Sequence, residues 1–324
     1  MSAFRLIAVV ACACVAGVPR LSGNLLDKFD PRLAGFSVSF HGETAAYRDA
    51  FVAAMPGDVV VFDVAGPAAT YALKTEHGTA VQQSARQWRW TAPARPGTYE
   101  LTFTGPGREE AHDEVVVHAF VMVPATEAKN GFLNGYRIGE YPSTPLKGNP
   151  IYLPPRGFIE VTKENQDTKV SPHFTLKQFL CKEDTTRAFP KYVVLKEQLP
   201  LKLEAVLQRV NELGVNVDTL NVMSAYRTPY YNHAIGDVKY SMHQWGSAAD
   251  VYVDPEKKNR MEDLNRDKRV DIEDAKFLYD DIERMLALKE FKKLQGGMGY
   301  YPATSAHPPF VHVDVRGTAA RWKG

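Results

Sequence analysis

The sequence predicts an α+β carboxyl-terminal domain preceded by a small all-β sandwich, and three observations lead there. Across residues 35–123 the apolar residues recur in short alternating or β-branched runs separated by turn residues. From Ser171 onward, stretches with three- and four-residue apolar spacing mix irregularly with strand-like runs, without the repeated βαβ order of a parallel sheet. At 324 residues the chain also exceeds the usual single domain, so two domains are the default.

Residues 1–22 come first. A lone Arg5 precedes the apolar run Leu6-Ile7-Ala8-Val9-Val10-Ala11-Cys12, which is too short to span a bilayer and reads as an export signal. Val9-Val10-Ala11-Cys12 also resembles a bacterial lipobox, in which the cysteine becomes the lipidated mature amino terminus. The expected location is therefore the periplasm or cell envelope, with Cys12 as a candidate lipid anchor and the one membrane contact foreseen. Ordinary cleavage after the small residues, or an uncleaved hydrophobic start, are the alternatives. With 39 basic against 38 acidic residues and no Lys/Arg-rich stripe, nothing draws the chain to nucleic acid or anionic lipid. Of three cysteines two lie inside the presumed signal, so Cys181 has no obvious partner and a disulfide framework is excluded.

Residues 35–123 are expected to form an antiparallel sandwich, with strands near 36–40, 59–62, 88–91, 98–103 and 115–120 and turns at Pro56-Gly57-Asp58 and Pro96-Gly97. The Trp88-Arg89-Trp90 and Pro96-Gly97-Thr98-Tyr99 stretches resemble immunoglobulin-like domains appended to exported enzymes. His41, His77, His112 and His118 are scattered here without ligand spacing and read as surface or structural residues. Residues 124–170, rich in Pro, Gly and Asn, form a connector whose Tyr and Ile content implies packing against a neighbour.

The second domain covers residues 171–324. Leu203, Val206, Leu207, Val210 and Leu213 recur at helical steps, predicting a helix over 196–213 that Gly214 ends. Residues 220–224 read as a strand. Leu278, Ile282, Met285 and Leu286 predict a second helix over 271–289, and 310–315 a final strand.

Within this domain, Ser241-Met242-His243-Gln244-Trp245-Gly246-Ser247-Ala248-Ala249-Asp250 holds an imidazole and a carboxylate seven positions apart. Gly246 to Ala249 are small, so the backbone can turn and the two side chains converge, and residues 249–253 read as a strand. Zinc hydrolases use three nitrogen or oxygen ligands and leave a fourth position open. His312 is the best third ligand, because it sits in an apolar β run where a histidine without a task is costly to bury. Asp314 shares its strand face. Taken singly, each histidine reads equally well as a structural residue.

The Ser-x-His-x-x-Gly-x-Ala-x-Asp pattern of Ser241 to Asp250 resembles the zinc D-Ala-D-Ala carboxypeptidase family. That family includes phage endolysin L-alanyl-D-glutamate peptidases and vancomycin-resistance D,D-dipeptidases, and it shares a fold with the hedgehog signalling domain. Two further blocks agree: Ser224-Ala225-Tyr226-Arg227-Thr228-Pro229 with Asn232, and Phe310-Val311-His312-Val313-Asp314 with Gly317, Arg321 and Trp322. The resemblance implies a hedgehog/DD-peptidase-like zinc domain with His243, Asp250 and His312 as ligands. It places Arg227 near the substrate as a catalytic candidate, where a guanidinium suits a peptide carboxylate or the oxyanion formed in hydrolysis, with Ser241 and Tyr226 beside it. The implied function is a zinc metallopeptidase acting on the peptide stems or cross-links of bacterial peptidoglycan, as a D,D-carboxypeptidase or an endopeptidase.

One departure stands out. Many relatives carry a general base two or three residues before the last ligand, where this chain has Phe310 and Pro309. Asp314 becomes the first candidate base and His307 the second. The alternative role for Asp314 is a hydrogen bond that orients a ligand imidazole, and for Arg227 a salt bridge to a domain carboxylate. His173 and His233 read as structural or rim residues. The competing functional class is a non-catalytic, zinc-containing envelope protein that binds peptidoglycan or protein.

Residues 263–274 suggest a second cation site. Asp263, Asn265, Asp267, Asp271 and Asp274 fall at positions 1, 3, 5, 9 and 12 of an EF-hand-like calcium loop leading into a helix. Arg269 stands at position 7, which contributes a main-chain carbonyl, and Val270 supplies the apolar position 8. Lys268 replaces the turn glycine, and Asp274 is shorter than the usual glutamate. A structural calcium ion is expected; the plainer alternative is a solvated loop in which Asp271 caps the helix.

Overall fold

The structure, a computed structural model, describes residues 29–68, 70–106, 112–183 and 189–324. The presumed signal, residues 1–22 with Cys12, lies outside the described residues. No helix among them is long and apolar enough to cross a membrane.

The amino-terminal region folds as two sheets. Strands β1 (Leu33–Phe40), β2 (Glu43–Tyr47), β4 (Val59–Ala65), β6 (Thr79–Ser84) and β7 (Gln87–Thr91) form one, in the order β2-β1-β4-β7-β6. The other contains β3 (Asp49–Ala54), β5 (Ala72–Thr75), β8 (Gly97–Pro106) and β9 (His112–Val121), in the order β3-β9-β8-β5. Alternation along β1 turns Ala34, Phe36, Val38 and Phe40 inward, where they meet Phe62, Trp88, Trp90 and Phe103. Two features depart from the sequence expectation. The strands at 43–47, 49–54, 72–75 and 79–84 gave no clear signal; 79–84 is exposed along its whole length and so lacks any alternation. The second sheet is also not wholly antiparallel, since β3 runs parallel to β9. Fifty-seven residues separate them, supplying the long connection a parallel pair needs.

Residues 124–170 are no mere spacer. Strand β10 (Val123–Pro124) leads to the hairpin of β11 (Phe132–Leu133) and β12 (Tyr136–Arg137), then to β13 (Gly157–Val161). The pair β14 (Lys169–Ser171) and β15 (Phe174–Thr175) follows, and β13 is flanked by β10 and by β16 (Lys191–Val193). Leu133, Tyr136, Phe158 and Ile159 lie in one continuous apolar core with the carboxyl-terminal helices, and Phe51 and Phe120 of the sandwich join it. Polar links reinforce this junction: Glu197 Oε1 accepts the Ala53 N–H at 3.0 Å and faces His41 Nδ1 at 3.0 Å, and Lys169 pairs with Asp49 at 2.9 Å.

The remaining elements are α1 (Gln198–Glu212), β17 (Asn221–Ser224), α2 (Pro229–Ala234), β18 (Ala248–Tyr252), α3 (Ile272–Leu286), β19 (Gly297–Tyr301), β20 (Phe310–Asp314) and β21 (Ala320–Lys323). Five strands form a sheet in the order β17-β18-β20-β19-β21, and α3 packs on β19 and β20. The predicted helices are present, shortened by one to three residues at their ends. Helix α3 starts where its chemistry dictates: the Asp271 side chain accepts the Glu273 N–H at 2.9 Å, and Asp274 reaches back to the Asp271 N–H at 2.9 Å. Strand β21, parallel to β19, was not foreseen, because its sequence carries little apolar weight and gains its pairing only from the sheet edge.

Candidate metal centre

Two adjacent strands and one turn build the site. In the antiparallel β18–β20 pair Asp250 lies directly opposite His312, so both side chains leave the same face of the sheet. His243 arrives from a short 3₁₀ turn, Met242–Trp245, which stops at Gly246 in the left-handed region with φ of 63°. Any Cβ at Gly246 would collide with the Val194 carbonyl, so both the backbone sign and the space require glycine. Ser247 then leads into β18, which carries Asp250. The seven-residue spacing is thus the length of one turn that folds the imidazole over the carboxylate.

Three donor atoms converge. His243 Nε2 is 3.2 Å from His312 Nδ1 and 3.2 Å from Asp250 Oδ1, and His312 Nδ1 is 2.9 Å from Asp250 Oδ1. Tetrahedral zinc with bonds of roughly 2.0–2.1 Å places its ligand atoms about 3.3 Å apart, so this triangle is close to one face of such a site. Among the described residues it is the only group of three or more His, Cys, Asp or Glu side chains so gathered, and all three are buried. The outer nitrogens agree. The Nδ1–H of His243 donates to the Ala225 carbonyl at 2.6 Å, and His312 Nε2 faces Asp314 Oδ2 at 3.4 Å. The His243 proton is directed outward, and when His312 carries its proton on Nε2 both imidazoles turn a lone pair toward the Asp250 oxygen. Two lone pairs and a carboxylate at this range repel unless a cation lies between them, so the donor set fits a divalent metal.

The electrostatics point the same way. Burial pushes the His243 imidazole down, toward the neutral form a ligand needs. Burial disfavours charge on Asp250 too, yet the neighbouring imidazoles hold its carboxyl well below the ordinary range. At His312 burial opposes protonation, but Asp250 and Asp314 prevail and hold the imidazole up. Two carboxylates around one imidazole call for positive charge at this point, which a metal ion supplies.

Asp314 lies beside the imidazole of His312. It is wholly buried on the far side of His312 from the converging donors. Arg316 grips it through Nε at 2.8 and 3.0 Å and a terminal nitrogen at 2.5 Å, and the Gly297 N–H donates to it at 2.7 Å. Burial raises a carboxyl, but His312 and Arg316 outweigh it and leave Asp314 far below the carboxylate range. So engaged, it faces the outer nitrogen of His312, the place of an orienting carboxylate, and both its oxygens already have donors. Arg227 likewise adopts the salt-bridge role: it donates to Asp250 Oδ2 at 2.5 Å, Asp237 Oδ2 at 2.7 Å and Ser224 Oγ at 2.9 Å. It thereby fixes the metal-facing carboxylate from outside.

Tyr226, expected on the substrate side, has its side chain turned inward. Its ring is buried, and its hydroxyl lies 3.0 Å from that of Tyr141, which in turn donates to the Gln244 carbonyl at 2.9 Å. Its work is to brace the turn that carries His243. Ser241 is also buried, just before that turn, where its carbonyl accepts the Gln244 N–H at 3.1 Å. His307 is not gathered with the three donors. It stands on the loop before β20, edge-on to Phe310 with ring centres 5.0 Å apart, beside a groove of about 630 Å³.

Several contributors escaped the sequence reading. Arg316 and Asp237 are charged partners whose roles depend on approach in space. Trp322 packs its ring 5.1 Å from His312 and donates to the Tyr301 hydroxyl at 2.6 Å. Lys202, fully buried on α1, donates to the Asp314 carbonyl at 2.8 Å, and burial lowers its ammonium to about 7. An isolated lysine amid the apolar positions of a helix was the one available signal.

In the 263–274 loop the side chains serve the backbone. Asp263 accepts from the Asp267 and Lys268 N–H groups at 3.1 and 2.8 Å, Asn265 accepts from Asp267 at 2.9 Å, and Asp267 accepts from Arg269 at 2.8 Å. Arg266 and Lys268 take positive φ of 63° and 72°, so Lys268 adopts the turn usually given to glycine. Asp271 caps α3, and buried Asp274 also receives the Leu264 N–H at 2.8 Å.

No curated protein matches the chain. In residues 172–272, the stretch that carries Arg227, His243 and Asp250, the chain matches the Peptidase M15 family model, in agreement with the resemblance borne by residues 241–250.

Proposed function

We propose that the chain is an exported zinc peptidase that hydrolyses peptide bonds in the stems or cross-links of bacterial peptidoglycan, as a D,D-carboxypeptidase or an endopeptidase. The observation that carries this reading is the buried His243–Asp250–His312 triangle, at zinc-ligand spacing, in a chain that matches Peptidase M15 over 172–272. A bound zinc ion supplies Lewis-acid chemistry, polarising a scissile carbonyl and acidifying water near neutral pH. The chain's residues prepare that chemistry. Ala225 and Asp314 set the two imidazoles, and Arg227 sets the Asp250 carboxylate, so little reorganisation remains when substrate arrives. His307 is the candidate proton acceptor, since its Nδ1–H is spent on the Pro308 carbonyl and its Nε2 has no hydrogen bond among the described residues. Residues 1–22 direct export in this reading, with Cys12 as candidate anchor, and the two-sheet region, an immunoglobulin-like sandwich, positions the enzyme in the envelope.

The test is digestion of muropeptides, followed by mass spectrometry, with and without a zinc chelator. Shortened stems or split cross-links are expected from the zinc-loaded protein alone. If the zinc-loaded protein leaves every muropeptide and D-Ala-D-Ala substrate intact, the chain is a non-catalytic binder instead.

We further propose that the 263–274 loop holds a structural calcium ion, a reading supported by the positions of its oxygen-bearing residues along the sequence and by the glycine-like turn at Lys268. Calcium is then expected to raise the melting temperature by several degrees, and Asp263→Ala to remove that response. An unchanged melting curve on adding calcium to the wild type refutes the ion and leaves the cap.

A further inference from the structure

The groove of about 630 Å³ beside His307 is not part of the metal cluster, yet one of its lining residues belongs to the strand that carries Asp250. Tyr252, which lines it, is two residues beyond Asp250 on β18, and side chains two apart on a strand share a face. Phe310, against which His307 leans, is likewise two residues before His312 on β20. Two residues of strand span about 6.7 Å, so the groove begins roughly one or two residues of extended peptide away from the converged donors.

Its lining is lopsided in charge. Lys182, Arg260 and His307 are present, with Asn221 and Asn259 between them, whereas no aspartate or glutamate lines it among the described residues. The whole chain, by contrast, balances 39 basic against 38 acidic residues. Neither cation is firmly spent. The side chain of Arg260 is 66% exposed, and among the described residues its one ion pair, to Glu256, is at 4.0 Å, while that carboxylate sits 2.8 Å from Lys258. Lys182 makes no ion pair among the described residues. The residue is exposed, so its ammonium is open to an incoming anion.

We infer that this groove is a binding site for a carboxylate-bearing peptide segment, held by Lys182 and Arg260 while the neighbouring bond lies over the His243–Asp250–His312 cluster. The inference rests on the peptidase reading for the second half of that statement only. It gives the enzyme a preference for acidic stems, and it assigns that preference to residues outside the metal site.

The experiment uses the full zinc-loaded chain and two fluorescently labelled stem peptides, L-Ala-γ-D-Glu-L-Lys-D-Ala-D-Ala and its analogue with the glutamyl carboxyl amidated. Binding is read by anisotropy and cleavage, separately, by chromatography. The acidic peptide is expected to bind more tightly, and Lys182→Gln or Arg260→Gln to weaken it by about twofold to fivefold each, the range of an exposed ion pair. The double variant should bind both peptides alike, with an unchanged melting temperature, and added salt should erase the wild-type preference. Equal affinity of the wild type for both peptides, or a preference that survives in the double variant, overturns the proposal. Charge-selective binding without cleavage keeps the groove and removes the peptidase reading. Cleavage with no charge preference in binding does the reverse.

Discussion

Replacing His243 by alanine is expected to abolish zinc retention and to reduce peptide hydrolysis on the order of 10³-fold or more, the several kcal/mol that a catalytic metal supplies. The reason is geometric. Three donors lie within 3.2 Å of one another, and two of them, His312 Nδ1 and Asp250 Oδ1, cannot hold a small divalent ion against water by themselves. The truncation also strands the Ala225 carbonyl, now 2.6 Å from its imidazole donor, at a cost of about 1–3 kcal/mol for a buried acceptor. Zinc content after dialysis, measured by plasma mass spectrometry, separates the effects, because a merely misfolded protein also loses its circular dichroism. A His243→Ala protein that keeps both its zinc and its activity would remove His243 from the ligand set.

The second large effect is expected at Asp314, and it distinguishes orientation from proton transfer. Asp314→Asn keeps the volume but removes the charge that Arg316 grips, and it presents an amide N–H₂ or a single carbonyl where the Gly297 N–H and His312 Nε2 both need an acceptor. Loss of a partner that orients a metal-binding imidazole lowers metal affinity by about 10- to 100-fold. Leaving Arg316 without its counter-charge should destabilise the fold by about 3 kcal/mol, the low end for a broken buried pair because the arginine side chain is 22% exposed. If Asp314 were the base instead, zinc affinity and melting temperature would stay put and only the turnover rate would fall. The pH dependence gives a further check. Because the folded-state pKa of Asp314 is depressed, its contribution is fully present above the ordinary carboxylate pKa and is lost as pH falls through the depressed value. The wild type should therefore lose stability on strong acidification more steeply than Asp314→Asn does.

These expectations show which parts of the site could be read from the chain. His243 and Asp250 were legible because the residues between them are small and the interval is short, so local backbone geometry alone brings them together. His312 was legible only by its cost, as a histidine in an apolar strand. Tyr226 and Arg227 are neighbours in the sequence, yet the Tyr226 ring is buried while Arg227 reaches Asp250, a division that no local pattern marks. The partners of the ligands were not legible at all. One is a main-chain carbonyl at Ala225, which no side-chain pattern marks, and another is Arg316, ordinary in the sequence until the sheet brings it onto Asp314.

The same division runs through the fold. Helices α1 and α3 and the central strands β18 and β20 carry their own periodicity, and their apolar faces are written residue by residue. Strands at sheet edges, such as those at 79–84 and 320–323, bury little and are recruited by backbone pairing that another segment offers. The sequence by itself pointed to a β-rich architecture, to the Asp271 helix cap and to His243 with Asp250, because each rests on contacts within a turn or a strand, and to His312 through the cost of burying an idle histidine. Only the tertiary structure decided which carboxylate orients an imidazole, which arginine is already paired and where an acidic peptide could lie. Those depend on the register that sets Asp250 opposite His312, 62 residues away along the chain.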